Sequence, residues 1–73
     1  MKELDLVESL VKIDNNDAGT QGVIVHVYEE HDACEVEFFD SNDETIAVVT
    51  CKFEQLKFIS RNYKKWYLSV FIF

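Results

Sequence analysis

Hydrophobic and polar positions alternate most regularly over residues 34–39, Cys-Glu-Val-Glu-Phe-Phe, where Cys34, Val36 and Phe38 fall on one side and Glu35 and Glu37 on the other. A period of two with one apolar face is the mark of a half-buried strand. Residues 22–28, Gly-Val-Ile-Val-His-Val-Tyr, are rich in β-branched and aromatic side chains and predict a second strand. Unbroken alternation there puts Val23, Val25 and Val27 in the core and turns Ile24, His26 and Tyr28 the other way. The polar stretch at residues 29–33 is short enough for a hairpin connection. A second polar stretch at residues 40–44 leads into the β-branched run 45–51, so another hairpin is expected. Residues 53–56 lose the alternation and predict a single helical turn, with residues 57–59 as a short closing strand. At the N-terminus, Leu4, Val7 and Val11 fit helical spacing, while Leu6, Val7, Leu10, Val11 and Ile13 fit a strand with a bulge.

Both glycines of the chain, Gly19 and Gly22, stand in one short segment before the second strand. Glycine is needed where the backbone takes positive φ or lies against another strand, so this is the one sharply specified turn. The last residues, 63–73, are apolar on both faces. Left free they would be an aggregation hazard, so they are expected to pair, as an added strand within the chain, in a homodimer exchanging this C-terminal strand, or with another protein.

The pattern of short pieces resembles a bacterial family of small proteins of unassigned function that look like SH3-type barrels. The resemblance rests on Leu4-Asp5-Leu6-Val7 with Leu10; on Gly19 and Gly22-Val23-Ile24-Val25 leading to Val27-Tyr28; on Glu35-Val36-Glu37-Phe38; on Asp40 followed by Glu44-Thr45; and on Leu56. It covers roughly residues 3 to 59. It implies that residues 4–13 form a strand, giving a small five-stranded barrel, and it brings no catalytic residue. The expected architecture is therefore all-β: one domain, with a barrel over residues 1–60 and a C-terminal strand or tail over 61–73.

Charge changes the picture of partners. Fourteen acidic residues against seven basic ones leave a formal charge of −7, which repels phosphate backbones and anionic lipid. Neither nucleic acid nor membrane is expected as a partner. The acids all lie within residues 1–54, whereas Lys57, Arg61, Lys64 and Lys65 stand after them. The N-terminus shows no basic stretch followed by an apolar run, and the apolar run at 66–73 is shorter than the roughly 20 residues of a membrane span. The expected location is the cytoplasm, with Cys34 and Cys51 as reduced thiols.

Catalytic and metal chemistry find little support. His31 and Cys34 make one close-spaced pair of soft ligands, but Cys51 stands alone, so no zinc site or other cofactor is expected. Asp40, Asn42 and Glu44 alternate as calcium ligands do, yet Thr45 and Cys51 occupy the positions where such a loop needs glycine and glutamate. The Gly19-x-x-Gly22 turn lacks the neighbouring basic residues of an RNA clamp. A catalytic thiolate needs electropositive surroundings, and the cysteines sit among acids. A barrel this small leaves little room for a reaction chamber, so no enzyme is expected.

What remains is an acidic face. Glu35, Glu37, Asp40, Asp43 and Glu44 are the candidate partner-binding residues, with His26, Tyr28 and Trp66 as anchors at its centre. The reading is a non-enzymatic binding protein, an immunity or antitoxin protein that neutralises a bacterial toxin domain such as a basic nuclease. The alternative is an SH3-like adaptor or small subunit of a larger assembly.

Overall fold

The computed structural model describes residues 1–61 of the 73-residue chain. Five strands form in chain order: β1 (Leu6–Ser9), β2 (Gln21–Tyr28), β3 (Ala33–Phe39), β4 (Thr45–Lys52) and β5 (Leu56–Ser60), with one-turn 3-10 helices at Glu29–His31 and Phe53–Gln55. The described residues are all-β and contain no α-helix. The strands make one antiparallel sheet in the order β4-β3-β2-β1-β5, in which β4 and β5 are the two ends and the ladder is not closed between them.

The two hairpins fall where polar stretches interrupt the apolar runs. Residues 29–32 turn through the first 3-10 helix, ended by Asp32 in the left-handed region (φ 49°), a conformation that a short polar side chain tolerates. Residues 40–44 make the second turn, with Asp43 at φ 61°. β3 delivers the expected alternation: Cys34, Val36 and Phe38 are fully buried and meet Val7, Ile13, Ile24, Cys51 and Leu56 in the main core. The single helical turn before a short closing strand is also present.

β2 departs from unbroken alternation. Its register against β3 steps between Ile24 and His26, so Val25 is an extra residue in the ladder. A β-bulge of this kind resets the phase of every later side chain. Ile24, opposite Val36 before the step, is fully buried in the main core, and after the step Val27 is the residue that packs against the same cluster, while His26 and Tyr28 point outward. The expectation that Ile24 would face away from the core is corrected by this one-residue step. Val23 is also fully buried, but in a second cluster with Leu6 and Phe39 on the opposite face. That face is apolar at one end and polar at the other.

The N-terminal segment is a strand, shorter than residues 4–13. β1 ends at Ser9, whose hydroxyl donates to the Asp17 carbonyl (3.0 Å) and accepts from the Thr20 amide (3.2 Å), tying the long β1–β2 connection together. Ile13 and Asn16 pair across a tight turn within that connection, whereas Leu10 and Val11 are exposed. The two glycines divide the two roles open to them. Gly19 takes φ +90° with open space around it, whereas Gly22 sits inside β2 directly against β3.

Candidate functional site

The outward face of β3 and its neighbours forms the first part of the candidate surface. Cross-strand pairing places His26 and Thr50 on either side of Glu35, and Val23 and Val48 on either side of Glu37. Glu35 accepts hydrogen bonds at Oε1 from the hydroxyls of Tyr28 (3.5 Å) and Thr50. The His26 and Tyr28 rings meet edge to face at 4.7 Å, and the Glu3 carboxylate lies 3.9 Å from His26 Nδ1. Four of the expected site residues are thus brought to one face: His26, Tyr28, Glu35 and Glu37.

Glu35 and Glu37 do not share one environment. Glu35 is half-buried, whereas Glu37 is only 9% exposed. Glu37 borders the second apolar cluster and accepts a hydrogen bond at Oε2 from the Thr45 hydroxyl. Both carboxylates face outward, as alternation requires, but Glu37 is a held group rather than a solvated one. The threonines of β4 that meet these acids were not visible as partners in the sequence, because only the register of β4, which brings Thr45 and Thr50 across from 8 and 15 residues away, supplies them.

Asp40, Asp43 and Glu44 stand at one end of β3, and Glu29, Glu30 and Asp32 at the other, about 20 Å apart along a strand of this length. The 40–44 loop is internally braced: Asp40 Oδ1 accepts the amides of Asn42 (2.8 Å) and Glu44 (3.1 Å). Between this loop and the Gly19 turn lies a groove of about 490 Å³, with Phe39 and Ile46 as apolar lining and Asp40 and Asp43 as acidic lining. Beyond the far end of β3, His31, Asp32, Lys52, Phe53 and Glu54 line a smaller groove of about 370 Å³. The acidic residues thus make two separate patches linked by the Glu35–Glu37 row. Trp66 and the proposed C-terminal strand or its dimer lie outside the described residues.

Asp5, which the pattern of the sequence did not mark, is a buried carboxylate at 2% exposure. Its Oδ2 accepts the Lys2 backbone amide at 2.8 Å, and Oδ1 lies 3.8 Å from the Arg61 guanidinium, which also sits over the Phe58 ring. Its place is structural, fastening the chain before β1 to the residue after β5.

Cys34 and Cys51 are free thiols directly opposite each other on β3 and β4, with their side chains in the core. Burial pushes Cys34 up to about 11 and Cys51 up to about 12, with nearby negative charge adding to the rise for Cys51. Such thiols stay protonated and are poor nucleophiles near neutral pH. Among the described residues no group of three or more His, Cys, Asp or Glu side chains is arranged to hold a metal ion. No helix among them is long and apolar enough to cross a membrane.

Comparison with known families decides the kinship. A model described as a domain of unknown function, DUF4926, matches residues 3–58. The chain belongs to the DUF4926 family. The match takes in all five strands except the last two residues of β5, so the sheet and both acidic patches lie within the DUF4926 domain. No curated protein and no solved structure matches the chain.

Proposed function

We propose that this DUF4926 protein is a non-enzymatic acidic binding protein of the bacterial cytoplasm, an immunity or antitoxin protein that occupies the cationic surface of a toxin domain such as a basic nuclease. The observation that carries this reading is the groove between the Gly19 turn and the 40–44 loop, where Asp40 and Asp43 stand beside Phe39 and Ile46. A lysine or arginine side chain has an apolar stem and a charged head, and this groove offers a matching surface to each. The Glu35 row and the exposed Glu29, Glu30 and Asp32 extend the negative field that would steer such a partner. A nuclease must be positively charged to hold its substrate, which makes its substrate surface the natural counterpart.

The test is capture of the partner on immobilised protein, followed by elution with salt. Retention at low salt, release at moderate salt and loss of capture by Asp40→Lys/Asp43→Lys are expected. Co-expression with the product of an adjacent reading frame supplies the cellular arm: rescue from a growth-inhibiting basic domain supports neutralisation. Survival of cells that express that domain alone removes it.

A second reading is an SH3-like adaptor or small subunit of an assembly. It is favoured by the strand order β4-β3-β2-β1-β5, with β1 between β2 and β5 and a 3-10 turn entering β5, which supports reading the sheet as an SH3-like barrel. Capture that survives both moderate salt and the double charge reversal would select it.

A further inference from the structure

Cys34 and Cys51 are the only two cysteines of the chain, and the β3–β4 ladder sets them directly opposite each other. The register is regular around the pair, with Ala33 opposite Lys52 on one side and Glu35 opposite Thr50 on the other; the step in this ladder lies farther along, between Phe38 and Phe39. Opposed Cα atoms in an antiparallel ladder stand about 4.5 or about 5.5 Å apart, according to their place in the hydrogen-bond pattern. Both values fall within the roughly 4.4–6.8 Å that a disulfide spans. Opposed residues also turn their side chains to the same side of the sheet, and here both are fully buried in the main core, so the two Cα–Cβ bonds run side by side.

The electrostatics of the pair agrees with this placement. Burial is the main reason why the Cys51 thiol is pushed up to about 12, and the Cys34 sulfur is the next, which puts the two sulfurs within electrostatic reach of each other.

We infer that Cys34 and Cys51 are a redox-sensitive pair, resting as two thiols and closing to a disulfide that staples β4 to β3 when the chain meets a small-molecule disulfide while unfolded or locally open. This inference is independent of the neutralisation reading.

The exchange takes two steps. The thiolate of one cysteine attacks a sulfur of the small disulfide, expels one thiolate and forms a mixed disulfide. The second cysteine, deprotonated in turn, attacks its neighbour's sulfur within that mixed disulfide and expels the other thiolate. In sum the two cysteines give up two protons and two electrons, and the small disulfide becomes two thiols.

Burial decides when this happens. In the folded chain neither sulfur is reachable and neither is ionised near neutral pH, so the first attack is blocked. Unfolding or local opening uncovers them, and the disulfide, once closed, is sealed in the core away from reductants. The pair therefore records the conditions in which the chain last folded. In a reducing compartment it stays as thiols, and its closure reports oxidation. The staple joins β3, β4 and the hairpin between them into one ring, which removes freedom from the unfolded chain. It also holds the register on which the Glu35–Thr50 and Glu37–Thr45 contacts depend.

The test uses the full chain. One sample is unfolded in mildly alkaline urea, treated with oxidised glutathione and refolded by dilution; a second is treated alike in the folded state. Expected from the first is a monomer lighter by two hydrogens and free of glutathione, whose proteolytic map joins Cys34 to Cys51. Its far-ultraviolet circular dichroism should match that of the reduced protein, and its urea midpoint should lie higher. The folded sample should oxidise at least about tenfold more slowly. Glutathione left on both cysteines, linkage only between chains, or an internal disulfide with altered circular dichroism or a lowered urea midpoint would each overturn the proposal. Equal rates of oxidation in the two samples would overturn it as well.

Discussion

Gly22 and Val36 approach so closely that a methyl group on Gly22 would lie 2.6 Å from Val36 Cγ1 and 2.7 Å from the Glu37 carbonyl oxygen. One of these atoms is backbone of β3, hydrogen-bonded on both sides in the sheet, so the neighbours cannot simply step aside. Gly22→Ala is expected to destabilise the fold by about 1–3 kcal/mol or more through overpacking. Gly19→Ala meets open space but must hold φ +90°, at a cost of about 1–2 kcal/mol. Urea unfolding of both variants checks the order: Gly22→Ala is the more damaging.

The two core thiols make a prediction about alkali. Their folded values, about 11 and about 12, lie above the ordinary 9.0, so the unfolded chain loses these protons first as pH rises. Their contribution to stability is complete below pH 9 and is lost progressively above it, through the folded values. Urea midpoints should fall between pH 9 and 11, and Cys51→Ala should show a shallower fall than the parent. At pH 8 both thiols should resist an aromatic disulfide reagent in the folded state and react after denaturation.

Glu35 and Glu37, alike in sequence, should respond differently to the same change. Reversing Glu37 to Lys places an ammonium against Val23 and Phe39 and removes the acceptor of the Thr45 hydroxyl, costing about 1–3 kcal/mol. Glu35→Lys, at the half-buried position, should cost under about 1 kcal/mol. Thermal unfolding of each single variant is the measurement, and only Glu35→Lys is fit for probing partner binding without disturbing the fold.

Asp5→Ala strips the Lys2 amide of its acceptor and the Arg61 guanidinium of its counterion. A loss of about 1–3 kcal/mol is expected, and Asp5→Asn should recover part of it by keeping the acceptor. Hydrogen exchange at the β1–β5 ladder should quicken in the alanine variant.

The legible parts of the fold were those written locally. β3 announced itself because Cys34, Val36 and Phe38 alternate with two glutamates, and the hairpins followed from the polar stretches beside it. The phase of β2 was hidden because inserting Val25 leaves the run equally β-branched on either side; only the pairing with Val36 and Glu35 exposes the step. The site was half visible for a similar reason. Alternation placed the acids outward, but how deeply Glu37 sits depends on its neighbours across the sheet, and the separation of the two acidic patches depends on where β3 begins and ends. Asp5 was unreadable, since its burial is matched by Arg61, 56 residues away in the chain.

The spare residue at Val25 also gives β2 an unusual tolerance. Removing Val25 would leave Ile24, His26, Val27 and Tyr28 in plain alternation, each still turned to the side it occupies now, with the inward pair against Cys34 and Val36 and the outward pair toward Glu35. Removing Val23 instead would use up the same slack only by moving Ile24 out to the Glu37 side and Val25 into the core in its place. A chain shortened by one residue at Val25 can therefore keep each of these side chains on its present side of the sheet.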